Sequence, residues 1–335
     1  MNYITGNVSM AHGGGGTASN RLIHEIFLKN FGTQETPDSA VLQVPEGMEI
    51  AFTTDSFVVS PLFFNGGDIG KLAVCGTVND LTCVGATPKY LSCGMIIEEG
   101  FEIALLDKIA QSMAETASKA GVKIVCGDTK VVQRGKCDGL YINTSGVGFV
   151  EKGVRILPSN AKPGDAVILT GAPGEHAAAI VTARQQLGIS GDLKSDCAPL
   201  NNMIEKLLGK VEIHVMRDPT RGGVAASLNE IAKDSGVGVE LEESEIVTTD
   251  GVKAICALLG FDPLYMANEG KMLIILPNNV AQDAVEILKN TPEGKESRII
   301  GEITDTHIGK VVLNTEAGGM RLIDMPFGEQ LPRIC

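Results

Sequence analysis

The sequence predicts an α/β (α+β) protein of two domains, and three observations lead there. Its 335 residues exceed what one ordinary core holds and suit two domains of typical size. Apolar, β-branched runs alternate along the chain with stretches of helical spacing. Residues 151–165, which carry Pro158 and Pro163, interrupt that alternation near mid-chain.

Residues 49–59 (EIAFTTDSFVV) predict a strand running into Asp55. Gly66-Gly67-Asp68 then opens a helix with Asp68 as its N-cap. Ile69, Leu72, Ala73, Gly76, Asp80 and Val84 fall near one face of it, so Asp80 interrupts an apolar or small-residue stripe. A carboxylate there must be paired, liganded or neutralised. Residues 89–97 predict a second strand, and 102–120 an amphipathic helix closed by Gly121. Residues 122–126 form a strand ending in Gly127-Asp128-Thr129-Lys130, and 138–150 a further strand-rich segment. Beyond the boundary come a strand at 166–170 and a helix at 175–187. Arg221-Gly222-Gly223 leads into a helix ending near Asp234, and later strands are expected at 270–276 and 299–303. Gly328 and Pro332 disfavour a helix in the last eight residues, GEQLPRIC, which read as an extended tail. The expected organisation is a domain over 1–152, a second over 153–327, and a mobile tail over 328–335.

A formal charge of −13 argues against nucleic-acid binding, because phosphate backbones reward lysine and arginine. No run approaches the ~18 apolar residues of a bilayer span, and the first residues lack a signal-peptide pattern. A cytoplasmic protein that avoids membranes is the expectation. The eight cysteines, at 75, 83, 93, 126, 137, 197, 256 and 335, include no CxxC pair, which argues against a zinc knuckle or iron–sulfur cluster. Most, including Cys75, Cys126 and Cys256, sit in apolar runs and are expected to be buried. Cys335 differs, since a chain terminus is rarely buried.

Four polar clusters end apolar runs: Thr54-Asp55, Asn79-Asp80, Gly127-Asp128-Thr129-Lys130 and the segment from Arg217 to Gly223. Carboxylates without nearby histidine or cysteine suit a hard ion such as magnesium, although one aspartate alone reads equally as a turn residue. Asp38 is a fifth candidate. His12 and Gly13 to Gly16 suit either an anion-binding nest or a linker. In Asp218-Pro219-Thr220-Arg221-Gly222-Gly223 the following helix aims free N–H groups at a phosphate, while Asp218 suits a bridging metal. Glu269, in Asn268-Glu269-Gly270-Lys271, reads equally as a general base or a solvated loop charge.

Together TTDSF (53–57), FFNGGDIGKLAVCGTVNDL (63–81), GDTKVV (127–132), RDPTRGG (217–223), NEGK (268–271) and terminal PRIC (332–335) resemble the hydrogenase maturation factor HypE family. These are carbamoyl dehydratases that prepare cyanide for nickel–iron hydrogenases. The likeness covers nearly the whole chain. PRIC is its most specific element, whereas the aspartate motifs are shared with aminoimidazole ribonucleotide synthases and selenophosphate synthetases. Asn65 stands where the family usually has proline.

The resemblance implies an aminoimidazole ribonucleotide synthase-like architecture, a homodimer paired through its N-terminal domains, and ATP with Mg2+ near that interface. Carried over, Asp38, Asp55, Asp80, Asp128 and Asp218 hold metal, and Asn79, Thr129, Arg221 and Gly222 join Asp55, Asp80 and Asp128 around the nucleotide. Cys335 accepts a carbamoyl group from the carbamoyltransferase HypF and later yields cyanide to iron on a HypC–HypD scaffold. Oxide is a poor leaving group, so phosphorylating the carbamoyl oxygen is what lets it depart and leave a thiocyanate. Glu269 is the expected base, with Lys130 orienting or stabilising charge. Eight extended residues reach roughly 26–29 Å, enough for the tail to swing from a partner to an ATP site. Two rivals remain: another ATP enzyme of the superfamily, such as a selenophosphate synthetase or small-molecule kinase, and a non-catalytic iron-binding scaffold. The selenium enzyme would need a reactive cysteine near the N-terminus, yet none precedes Cys75.

Overall fold

The computed structural model describes residues 4–32, 39–185, 193–328, 331 and 333–335. The first domain is built on a four-stranded sheet of β1 (Met48–Phe57), β2 (Thr87–Glu98), β3 (Lys123–Val132) and β4 (Leu140–Glu151), in spatial order β1-β4-β2-β3. Only β2 and β3 run parallel, joined by the crossover helix α2 (Ile103–Ala120). Helix α1 (Ile69–Cys83) packs beside α2 on the same face. Its start follows the predicted chemistry, as the Asp68 carboxylate accepts the Gly70 and Lys71 amide N–H groups at 2.7 and 3.2 Å. Leu72, Leu106 and Ile109 are wholly buried there, each worth roughly 1.5–3 kcal/mol. Ala177 and Ile180 of α3 (Glu175–Gln185) join the same apolar cluster from beyond the mid-chain boundary. The opposite face of the sheet is open: Ile50 and Phe52 on β1 are 57% and 67% exposed.

Strand β3 runs on to Val132 rather than stopping at Cys126. Gly127 makes this possible, because a side chain there would collide with the Cys93 carbonyl of β2, so the strands stay paired through the motif. Cys126 is exposed, against expectation, while Cys75, Cys83, Cys93, Cys197 and Cys256 are buried as predicted.

The second domain holds a seven-stranded sheet. Its members are β5 (Asp165–Leu169), β6 (Val215–Arg217), β7 (Gly238–Glu242), β8 (Leu273–Pro277), β9 (Arg298–Thr304), β10 (Val311–Asn314) and β11 (Met320–Ile323), ordered β11-β10-β7-β9-β5-β8-β6. Both faces are covered. Leu228 and Ile231 of α4 (Gly223–Ser235) pack in one cluster, while Ala284 and Leu288 of α5 (Asn278–Lys289) pack in the other. Hence β5 and β8 are buried along their lengths, as strands covered on both faces should be. No described helix is long and apolar enough to cross a membrane.

Residues 193–200 strap the two domains together. Ser195 N–H donates to the Asn65 carbonyl at 2.8 Å, and Asn65 Nδ2 donates to the Leu193 carbonyl at 2.7 Å. Gly66 has φ +98°, and a Cβ there would strike the Ser195 backbone.

Candidate functional site

Strand β1, α1, the linker at Ile156 to Pro158 and the loop before α4 border a cavity of about 430 Å³ lined by Asp55, Asp80, Asp218, Arg217, Arg221, Glu269 and Cys335 among others. Strand alternation turns Thr53 and Asp55 toward α1, where Gly76 leaves room: Asp55 Oδ2 lies 3.6 Å from where a Cβ at Gly76 would stand. Asp80 takes a hydrogen bond from Thr53 Oγ1 at 2.9 Å. Cys83 Sγ donates to Asp218 Oδ1 at 3.7 Å.

The cavity sets four carboxyl groups, Asp55, Asp80, Asp218 and Glu269, against two guanidinium groups, Arg217 and Arg221. Burial, then the Asp218 charge, pushes Asp80 up to about 7. Burial raises Asp55 and Asp218 as well. The carboxyl that the sequence required to be paired, liganded or neutralised is hydrogen-bonded by Thr53 and shifted toward its neutral form. Burial also lifts Glu269 well above the carboxylate range, with Cys197, Asp218, Asp196 and Asp55 adding to the rise. Its Oε1 is buried without a hydrogen-bond partner, which is costly unless something polar arrives. Glu269 is therefore no solvated loop charge.

The tail lies inward. Ile334 is 3% exposed, and Cys335 lines the acidic cavity. Backbone bonds seat the chain end beside residues 58–60: Val58 N–H donates to the Cys335 carbonyl and Ser60 N–H to the Arg333 carbonyl, both at 3.2 Å. Burial pushes the Cys335 thiol far up, and the facing Glu269 adds to this. Arg333 does not offset it, being paired with Asp138 and donating to the Val58 carbonyl.

Other predicted residues lie elsewhere. Asp128, Thr129 and Lys130 line a separate cavity of about 540 Å³ with Gly13, Gly15 and Ser19. Asp128 pairs with Lys130 at 2.7 Å, and that hydrogen bond lowers its pKa. They sit on β3, three strand spacings from β1, or about 14 Å. The expectation that Lys130 lies near the reacting group thus fails within one chain, because the sheet order puts the two motifs at opposite edges. Asn79 turns away from the acidic cavity. Its amide donates to the Ala198 carbonyl at 3.1 Å and its Oδ1 accepts Leu200 N–H at 2.8 Å, so it fastens the strap and does not line the acidic cavity. Gly222 lines a neighbouring cavity with Tyr265, Leu331 and Ile334, and Arg221 borders both. Asp38 lies outside the described residues.

Sequence reasoning missed the groups that hold Glu269. Asp196 Oδ1 accepts the Glu269 backbone N–H at 3.1 Å, and Asp196 Oδ2 stands 3.6 Å from Lys271 Nζ, which also pairs with Glu175 at 2.9 Å. Burial alone would lower Lys271, but Asp196 and Glu175 hold it above its ordinary value. Lys271 was visible in NEGK beside Glu269; Asp196 carries no motif of its own.

Comparison with known proteins places this geometry. Residues 36–150 match the AIR synthase related protein N-terminal domain, and residues 162–314 the corresponding C-terminal domain. The carbamoyl dehydratase HypE of Cupriavidus necator is 46% identical over 339 aligned positions, covering 100% of this chain and 97% of that one. A crystal structure of hydrogenase maturation protein HypE in complex with ATP superposes with a TM-score of 0.94 at 44% identity, covering 98% of this chain and 99% of that one. A chain from a crystal structure of a HypE–HypF complex gives a TM-score of 0.80 at 50% identity over 83% of this chain and 90% of that one.

Proposed function

We propose a function from one premise: this chain belongs to the HypE family of carbamoyl dehydratases, within the AIR synthase related proteins. It is a hydrogenase-maturation enzyme that uses ATP. In this reading the substrate is a carbamoyl group on Cys335 and the product a thiocyanate on the same sulfur. The single observation that carries it is the inward chain end, which brings Cys335 among Asp55, Asp80, Asp218 and Glu269.

The carbamoyl oxygen takes the γ-phosphoryl group of ATP to form a C–O–P linkage as the β–γ P–O bond breaks and ADP leaves. The C–O bond then breaks, phosphate leaves with the electron pair, and loss of both N–H protons, one to Glu269 and one to the departing phosphate, gives S–C≡N. Glu269 faces the sulfur and takes a nitrogen proton once cationic charge in the cavity draws its pKa down. Arg221 and the N-terminal N–H groups of α4 offset phosphate charge. Ile334, beside Cys335, packs into the apolar core of the first domain.

The cavity's donors fit magnesium. Asp55, Asp80 and Asp218 are hard oxygen ligands whose ionisation burial opposes. Among the described residues no three His, Cys, Asp or Glu side chains close on one point. Magnesium would be held here by one or two of these carboxylates and completed by phosphate oxygens and water. When bound, it supplies charge neutralisation for phosphoryl transfer.

Lys130 and Asp128 enter through a second copy of the chain. The open apolar face of the first sheet suits pairing of N-terminal domains, which would set the β3 edge of one copy against the acidic cavity of the other. HypF as carbamoyl donor and a HypC–HypD complex as acceptor complete the reading. It is tested by mass spectrometry after incubation with ATP and the carbamoyl donor. The peptide ending at Cys335 should gain one carbamoyl and then lose one water, and a carbamoylated Cys335→Ala chain would refute the assignment.

A further inference from the structure

His176 is a wholly buried histidine that the proposed chemistry does not use. It stands in the first turn of α3, and its ring meets Phe64 edge-on, centroids 5.5 Å apart. Its Nε2 lies 2.7 Å from the Ile334 carbonyl oxygen, one residue before the chain end. A carbonyl only accepts, so Nε2 carries the proton. Nδ1, 2.8 Å from Ser195 Oγ, then accepts the serine hydroxyl, whose oxygen takes Cys197 N–H at 3.1 Å. Burial lowers the His176 pKa and so favours this neutral form. The same strap segment that orients Glu269 through Asp196 therefore fixes the tautomer of the ring that grips the tail. On its outer side Arg184 donates to the carbonyls of both Ser60 and Arg333.

We propose that His176 is the latch of the C-terminal tail: a positioning residue that holds Cys335 inward beside Glu269, with Arg184 as a second fastening. This rests on the reading that Cys335 carries the substrate. The latch divides the cycle into two states. In the latched state the sulfur faces the acidic cavity, and in the unlatched state it faces solvent and partner. The strength of the His176–Ile334 bond sets the ratio between them.

The test uses the full chain without nucleotide or carbamoyl donor, so its outcome is independent of the dehydration chemistry. Iodoacetamide alkylation of Cys335 is followed by peptide mass spectrometry, with exposed Cys126 as internal control. Loss of one buried hydrogen bond shifts such an equilibrium roughly tenfold. His176→Phe, which keeps a ring but no donor, should raise the Cys335 rate by about that factor and leave Cys126 unchanged. His176→Gln places an amide donor near the Nε2 position and should stay within about twofold of the parent. Arg184→Gln should also speed alkylation. An unchanged Cys335 rate in a His176→Phe chain with parental melting temperature overturns the latch, as does Gln behaving like Phe. If His176→Phe melts early, an unchanged rate in Arg184→Gln overturns it instead.

Discussion

Replacing Asp80 with asparagine should stabilise the unliganded chain while removing its activity. Asp80 is held up to about 7 by burial and the neighbouring Asp218, far above the unfolded range. The folded state therefore binds a proton that the unfolded chain has released, and stability falls as pH rises from about 4 through 7. Above pH 7 the full cost is present, up to roughly 4 kcal/mol. Asp80 keeps partial contact with water, and solvent screening brings the expectation to about 2 kcal/mol. The asparagine of the Asp80→Asn chain would carry no charge at any pH and can still accept the Thr53 hydroxyl. Thermal unfolding at pH 8 should show the variant melting several degrees higher, at about 2–4 °C per kcal/mol. At pH 5, where the native carboxyl is already protonated, the gain should shrink by more than half. Magnesium with ATP should raise the melting temperature of the parent far more than that of the variant, because the ligand uses the charge that burial opposes. A gain that is absent at pH 8, or unchanged at pH 5, refutes the electrostatic account.

Two further outcomes follow. Glu269→Gln should still accept a carbamoyl group on Cys335 but lose roughly 10²–10⁴-fold in its conversion to thiocyanate, read as persistence of the carbamoylated peptide. Asp128→Asn and Asp218→Asn chains should each be inactive alone. Mixed after dissociation, half the dimers are heterodimers with one intact site of two, so about a quarter of parental activity should return. Absence of recovery in verified heterodimers would remove the shared site.

The acidic cavity bears on the carrier role proposed for the tail. Burial and the facing Glu269 push the Cys335 thiol up, which disfavours the nucleophilic thiolate. In the proposed cycle, loading of Cys335 falls to the outward position and dehydration to the inward one, the division of labour that a latched tail would serve.

Much of this protein was legible in its residues. The N-cap at Asp68, the Gly121 helix stop and the alternation along Met48–Phe57 are local, set by backbone sterics and period, and needed no partner in space. The motifs also named Asp55, Asp80, Asp218, Glu269 and Cys335 before any was seen to share a cavity. Only the tertiary structure decided which of them meet. Sheet order sends Asp128 and Lys130 to the far edge, and no spacing along the chain encodes which strand lies beside which. Asn79 was expected beside the nucleotide through the family resemblance; on a helix adjacent residues point about 100° apart, so Asp80 faces the cavity and Asn79 the strap. His176 and Asp196 act across 158 and 73 residues of chain, on backbone atoms that every residue possesses. Contacts of that kind leave no trace in side-chain identity, and so only the folded chain reveals them.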